Sequence, residues 1–141
     1  MRACGRRLGR DRCQMWLDRR TVMVTSFLVS EWSVELEPEV QRWLDGLDPA
    51  EFATAAFHVD RLVERGAALR MPHSRSLGEG LFELRFDFGR LAQRITFFFP
   101  GGRRIVLLTV FRKQRSNERA EVARARTAMA RCIEQSHTAD E

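Results

Sequence analysis

The side chains best suited to chemistry are cationic groups in the second half of the chain. Guanidinium and ammonium groups on one sheet suit a polyanion, and arginine binds phosphate through two parallel hydrogen bonds. The same groups can stabilise the extra negative charge of a phosphorane. The residues alone leave open whether they bind or catalyse. The five groups are Arg85, Arg94, Arg104, Arg112 and Lys113.

Other chemical machinery is sparse. The sequence has three histidines and no tyrosine, and it lacks the patterns H-E-x-x-H, G-x-G-x-x-G, G-x-S-x-G and the P-loop. Three widely spaced cysteines, Cys4, Cys13 and Cys132, indicate neither a disulfide framework nor a zinc site and fit a reducing cytoplasm. We therefore expect no metal and no cofactor.

Three consecutive strands must position the cationic groups. Residues 81–88 alternate between apolar and polar side chains, and residues 91–99 and 104–112 repeat this pattern. Arg85 and Arg94 then lie on the face opposite the apolar side chains. Turns are predicted between the strands, where glycines accept positive φ. The predicted apolar face consists of Phe82, Leu84, Phe86, Phe88, Ile95, Phe97, Phe99, Ile105, Leu107 and Phe111.

Helical patterns flank these strands. After a first strand near residues 32–36, residues 38–66 predict a helical hairpin, in which Asp48 begins the second helix with a near capping box and Gly66 ends it. A last helix follows Ser116 or Asn117 and places Cys132 on its apolar side. The order of elements predicts an α+β fold.

The segment between the hairpin and the strands, residues 67–80, predicts a loop. Loops often carry substrate contacts, and His73, Ser74 and Arg75 are candidates for such contacts. An ordinary polar loop is the alternative, and it is slightly favoured for His73.

Charge is unevenly distributed along the chain. The formal net charge is +5, and residues 1–22 account for all of it with seven arginines and two aspartates. Residues 31–64 carry nine acidic groups against two arginines, whereas residues 65–131 carry fifteen basic groups against five acidic ones. A basic half is typical of a surface that meets phosphate, and pairing between the two halves is the alternative.

The length of 141 residues fits one domain with a modest core. Residues 1–22 show no secretory signal, and residues 23–29 are too short to span a membrane. We predict that residues 1–22 are a disordered or misassigned extension before a start at Met23, with a nucleic-acid-binding arm as the alternative. The domain is expected to occupy residues 23–135, and residues 136–141 a tail.

Three segments of the strand region together resemble a known family. They are L-G-E-G-L-F-E-L-R at residues 77–85, Q-R-I-T-F-F-F at residues 93–99 and G-R-R-I-V-L-L-T-V-F-R-K at residues 102–113. In this order they resemble the RelE/ParE toxin superfamily, and within it the HigB-like, phage-derived toxins of type II toxin–antitoxin systems. The resemblance covers about residues 31–133.

The resemblance implies a small twisted antiparallel sheet with helices packed on it. It also implies a ribosome-dependent endoribonuclease, an mRNA interferase that inhibits translation. In such enzymes the 2′-OH of a nucleotide attacks the adjacent phosphate without a metal. Cleavage needs a base near that hydroxyl, cations around the phosphorane and an acid for the 5′ oxygen.

Matched position by position, the resemblance implies catalytic roles for Arg85, Arg94 and Lys113. The two arginines would bind phosphate, and Lys113 would neutralise charge or transfer a proton. The general acid and base stay unassigned, because the tyrosine of many RelE-type enzymes is absent here. The residues expected to bind RNA are His73, Arg75, Arg104, Arg112 and Arg115.

Structural roles are the alternative for both arginines. Arg85 can form surface pairs with Glu83 and Asp87, which contribute roughly 0–1 kcal/mol each. Arg94 needs an acidic partner among its uncharged neighbours, and Glu35 of the first strand is a candidate.

Two further hypotheses come from other functional classes. One is a ParE-like inhibitor of DNA gyrase, which would not need the sheet arginines, and the other is an inert member that acts only in a complex with its partner. All three hypotheses imply a helix-turn-helix antitoxin, whose acidic segment would dock on residues 65–131. We expect this antitoxin and mRNA on the ribosome as partners, no membrane, no small-molecule cofactor and a cytoplasmic location.

Overall fold

The chain forms one sheet with helices on both faces, which confirms the predicted α+β class. The computed structural model describes residues 6–7 and 32–139, with side chains described for residues 32–135. Its elements are β1 (Arg6–Arg7), β2 (Ser33–Leu36), α1 (Pro38–Asp45), α2 (Pro49–Arg65), a 3-10 turn (Gly66–Ala68), β3 (Ser74–Gly78), β4 (Leu81–Phe88), β5 (Leu91–Gly101), β6 (Arg104–Arg112) and α3 (Glu118–Ala139).

Several predictions fall on parts of the chain outside this description. Apart from β1, the predicted extension of residues 1–22 lies outside the described residues, as do Cys4, Cys13 and the predicted start at Met23. The division into extension, domain and tail therefore stays a prediction. Within the described residues, no helix is long and apolar enough to cross a membrane.

The sheet has the strand order β1-β2-β6-β5-β4-β3. Strands β3 to β6 form an antiparallel meander. In contrast, β2 runs parallel to β6, with Val34 opposite Ile105, so the sheet is mixed rather than wholly antiparallel as expected. The chain passes through α1 and α2 after β2, and a connection of that length allows a later strand to lie beside β2 in the same direction.

Strand β3 occupies part of the segment that was predicted to be a loop. Residues 74–78 pair with β4, and Arg75 lies opposite Glu83. The sequence S-R-S-L-G has no apolar face, so its alternation carries no strand signal. Because β3 is the last strand in the sheet order, pairing with β4 alone places it there.

The two faces of the sheet bury different apolar clusters. The helical hairpin of α1 and α2 packs on one face, here called the hairpin face, and α3 packs on the other, the α3 face. The predicted apolar side chains of β4 lie on the hairpin face, which confirms their predicted alternation. On the α3 face, Ala125, Ala128 and Cys132 pack with Phe98 and Val106.

A β-bulge changes the side-chain alternation of β6. The register of β5 against β6 shifts by one residue between Thr96 and Phe97. Beyond this shift, Phe111 lies opposite Arg94 and therefore on the α3 face. The prediction that Phe111 shares a face with Leu107 is wrong for this reason.

Cys132 is buried on the inner side of α3, as predicted. Its sulfur is in a disulfide bond, and its partner lies outside the described residues. The prediction that the cysteines form no disulfide is therefore wrong for Cys132.

Helix α2 has defined ends that fix the hairpin against the sheet. The Asp48 carboxylate accepts a hydrogen bond from the Glu51 N–H at 2.8 Å, and the Glu51 carboxylate accepts one from the Asp48 N–H, which confirms the predicted capping box. Gly66 follows α2 with φ +53°. A Cβ atom at this position would overlap the Trp32 ring, so the glycine is needed for both its conformation and its size.

We predict that Gly66→Ala destabilises the fold far more than Gly102→Ala. Both glycines have positive φ, which costs an alanine about 1–3 kcal/mol. Only at Gly66 does the new methyl group meet a side chain, and such overpacking adds about 1–3 kcal/mol. Urea unfolding of the two variants measures the difference. Equal losses in both variants would contradict a fixed Trp32 ring at the end of α2.

Candidate functional site

The predicted catalytic arginines lie on the α3 face, on neighbouring central strands. Arg85 of β4 is directly opposite Arg94 of β5, and Arg94 is opposite Phe111 of β6. The next row toward α3 consists of Arg75, Glu83, Thr96 and Thr109. Lys113 extends the ladder by one residue, because its N–H donates to the Ala92 carbonyl at 2.8 Å. We call Arg75, Arg85, Arg94 and Lys113 the cation cluster.

Arg94 is a buried cation with incomplete hydrogen bonding. Its side chain is only 8% exposed, and one Nη donates to the Gln93 carbonyl at 3.0 Å. The nearest carboxylate oxygen, on Glu83, lies 3.7 Å from Nε, and Nε has no hydrogen-bond partner. Burial lowers the pKa of Arg94, and the charge of Arg85 lowers it further. Burying a cation without full pairing costs free energy. An anion that bonds to this guanidinium would reduce that cost.

Arg85 is the more exposed member of the pair, and its side chain is half-buried. It makes no ion pair with Glu83 or Asp87 or with any other described side chain, so the predicted surface pairs are absent; one Nη contacts the Met71 Sδ at 3.5 Å. Directly opposed like charges on neighbouring strands destabilise a sheet. Binding of an anion between the two guanidinium groups would remove this repulsion, which is a physical reason for a phosphate to bind there.

Two carboxylates hold the rest of the cation cluster. Glu83 is buried, and its Oε2 lies 3.8 Å from Arg75 and 3.7 Å from Arg94. Glu118, the first residue of α3, contacts Arg75 through Oε2 and Lys113 through Oε1, each at 2.9 Å. These contacts lower the pKa of Glu118, with the hydrogen bond from Lys113 as the largest cause. The sequence prediction missed both roles, since neither carboxylate belongs to a recognisable motif.

The remaining predicted site residues do not join the cluster. Arg104 pairs with Glu35 at 2.9 Å, so the predicted Glu35–Arg94 pair is wrong. Arg104 also lies seven residues from Phe111 along β6, roughly 23 Å. Arg112 is opposite Gln93 and so lies on the other face of the sheet. Arg115 is exposed in the turn before α3.

His73 lies at the edge of the sheet, immediately before β3. Its carbonyl accepts the Arg85 N–H at 2.9 Å, but its ring turns toward Arg61 of α2. Arginine can only donate, so the Nδ1 of His73 accepts and carries no proton. The charges of Arg61 and Arg65 also lower the pKa of His73, after burial as the first cause.

The chemistry that this arrangement supports is the binding of an anion by fixed cations. The four neighbouring strands β3 to β6 position the cluster, and Glu118 and Glu83 provide carboxylates beside it. Among the side chains that the structure describes, no three His, Cys, Asp or Glu residues are placed to hold a metal ion.

We predict that inorganic phosphate stabilises the protein through Arg85 and Arg94. A ligand that binds only the folded state adds about 1.4 kcal/mol at ten times its Kd. Thermal unfolding with and without phosphate, at constant ionic strength, measures this gain. Arg85→Ala should remove the gain, whereas Arg112→Ala, on the opposite face, should keep it. Equal gains in both variants would show that the anion binds elsewhere.

A second titratable group lies on the hairpin face. The His58 ring of α2 stacks on Phe86, with centroids 4.9 Å apart, and its Nδ1 is buried without a hydrogen-bond partner. Burial lowers the pKa of His58 to about 4, and the charges of Arg61 and His73 act in the same direction, while Asp87 opposes them. The folded protein thus holds this histidine neutral.

We predict that the free energy of unfolding falls as the pH drops from 6.5 to about 4. In this range the unfolded chain binds a proton at position 58 and the folded chain does not, so acid favours unfolding. His58→Phe keeps the stacking and should reduce the loss. Denaturant unfolding of both proteins across this range gives the comparison. An identical pH dependence would show that His58 binds its proton equally well in the folded and the unfolded chain.

Comparisons with known proteins relate most of this fold to one family. Residues 42–132 match the family model described as phage derived protein Gp49-like (DUF891). No curated protein and no solved structure matches the chain. The matched region runs from α1 into α3, and it contains the whole cation cluster and Glu118.

Proposed function

Since the chain belongs to the Gp49-like family of phage-derived, toxin-like proteins, we propose that it is the toxin of a type II toxin–antitoxin pair. Its activity is proposed to be that of a RelE/HigB-like mRNA interferase, which cleaves mRNA on the ribosome. The observation that carries this proposal is the opposed pair of Arg85 and Arg94. A sheet that holds a buried, incompletely bonded guanidinium beside a half-buried one without an ion pair is suited to a phosphate.

The proposed reaction uses the mRNA's own hydroxyl as nucleophile. The 2′-oxygen attacks the adjacent phosphorus, the bond from phosphorus to the 5′ oxygen breaks, and a 2′,3′-cyclic phosphate and a 5′-OH result. Arg85 and Arg94 would bind the phosphate oxygens and stabilise their added charge in the phosphorane. Fixed donors act most strongly where water is excluded, and Arg94 is buried.

Lys113 is proposed to be the general acid that protonates the leaving 5′ oxygen. Its ammonium group lies 2.9 Å from Glu118 and can donate a proton to the departing 5′ oxygen. Arg75 would hold a neighbouring phosphate of the strand. His73 would meet the RNA at the edge of the site as a neutral donor through Nε2.

The same surface explains how an antitoxin would neutralise the protein. The four positive charges of the cation cluster outnumber the two negative charges of the carboxylates that contact it. An acidic segment would therefore dock there in place of RNA. We propose a helix-turn-helix antitoxin as the source of that segment and the cytoplasm, where ribosomes work, as the place of action.

We predict that the protein cuts ribosome-bound mRNA and that Arg85→Ala and Arg94→Ala reduce cleavage strongly. Loss of one charge-stabilising donor lowers rates by roughly 100- to 1,000-fold. Mapping the cut sites on ribosome-bound and naked mRNA measures the activity and its dependence on the ribosome. Arg112→Ala, an exposed arginine on the other face, is the matched control and should keep full activity.

Because Arg94 is buried, its variants need a check of folding. Arg94→Lys keeps the charge but loses the two-pronged donor, so it should fold and still cut slowly. A folded wild-type protein that cuts no mRNA would overturn the proposed activity. In that case, inhibition of DNA gyrase by the wild-type protein would favour the ParE-like alternative.

A further inference from the structure

The proposed reaction needs a base for the 2′-OH, and the structure places an accessible carboxylate inside the cation cluster. Glu118 lies 2.9 Å from both Arg75 and Lys113 through different oxygens. Each carboxylate oxygen has a second lone pair that these contacts leave available. The Glu118 side chain is 30% exposed, so a hydroxyl of a bound nucleotide can reach it.

Other candidates for the base are less suitable. Glu83 lies between the same cations, but its side chain is only 2% exposed, beneath Arg75 and Arg94. His58 lies on the hairpin face, and the Nδ1 of His73 already accepts from Arg61. The chain has no tyrosine. Asp87 is exposed on the same face, but it forms no ion pair with the cation cluster, whereas Glu118 contacts two of its members. Among the described residues, Glu118 is thus the accessible carboxylate that the cluster holds in place.

We propose that Glu118 is the general base, taking the proton from the 2′-OH as it attacks phosphorus. This inference rests on the proposed function, and it adds a residue that the family resemblance does not assign. Its position at the first turn of α3, where the helix dipole favours a negative charge, helps to keep Glu118 in the ionised form that a base requires.

The proton balance closes within the protein. Glu118 takes the 2′ proton while the bond from the 2′ oxygen to phosphorus forms. As the bond from phosphorus to the 5′ oxygen breaks, that oxygen takes a proton from the Lys113 ammonium. The proton on Glu118 then returns to neutral Lys113 across their 2.9 Å contact, which restores both groups.

The electrostatic surroundings of Glu118 suit this cycle. Arg75 from β3 and Lys113 after β6 face it, and Arg94 from β5 is close enough to interact with its charge. The hydrogen bond and charge of Lys113, and then those of Arg75, lower the pKa of Glu118 against the opposing effect of burial, so it is ionised at neutral pH. Binding of phosphate partly neutralises these cations, and the carboxylate then becomes a stronger base when the substrate is present.

The test is single-turnover cleavage of ribosome-bound mRNA by the full chain. Glu118→Gln should lower the cleavage rate about 100-fold or more, since general bases contribute roughly 100- to 10,000-fold. The variant should bind an uncleavable mRNA, with a 2′-deoxynucleotide at the mapped cut site, as tightly as the wild type or more tightly. This combination separates lost proton transfer from lost binding.

A change of base tests the role more directly. Glu118→His should give a rate that rises with pH near or below about 6.5, whereas the wild-type rate stays level above about pH 6. A merely structural role of Glu118 would not create such a pH dependence. Glu121→Gln is the matched control on the same helix, because Glu121 pairs with Arg124 at 2.9 Å outside the cluster, and it should not change the rate.

The possible results separate this inference from the proposed function. If Glu118→Gln cleaves as fast as the wild type or faster, Glu118 is only a counter-ion and the inference is overturned, while cleavage that still depends on Arg85 leaves the proposed function in place. If the folded wild-type protein does not cleave at all, the proposed function and the inference fail together.

Discussion

The candidate site is defined by the repulsion between two guanidinium groups, which face each other across the neighbouring strands β4 and β5. Arg94 is nearly buried, and Arg85 lies directly opposite it without an acidic partner among the described residues. A fold tolerates such a pair only when neighbouring groups offset its cost. Glu83 lies beneath Arg94, and Glu118 enters from α3, but neither reaches Arg85. The pair is thereby left able to bind an external anion.

Much of the fold could be predicted because its signals are local. The alternation in β4 follows from a period of two residues, and the Asp48 capping box follows from four adjacent residues. The failures have non-local causes. Strand β3 forms because its backbone pairs with the edge of β4. Phe111 lies on the α3 face because of a bulge in β6, and only the pairing with β5 defines where that bulge falls.

The candidate site likewise has parts that follow from local sequence signals and parts that depend on distant residues. Residue type and alternation placed Arg85 and Arg94 on the correct face, and the structure brings Arg75 and Lys113 beside them. Residue type alone does not show that Arg112 lies on the hairpin face, away from the cation cluster. Its neighbour Phe111 lies on the α3 face, and the pairing with β5 decides both positions. The role of Glu118 was not predictable, since its contact with Arg75 joins positions 43 residues apart.

The division of the sheet into two faces determines how the site can be held rigid. The apolar side chains of β4 pack under the hairpin, and the next residues along the same strand carry the charges of the α3 face. A shift of the core therefore moves the site, because each strand serves both faces. Glu118 is different, since it reaches the cluster from the beginning of a helix and not from a strand. Its carboxylate joins Arg75 of β3 to Lys113 after β6, so the first residue of α3 ties both ends of the cation cluster together and is itself held there by two contacts of 2.9 Å.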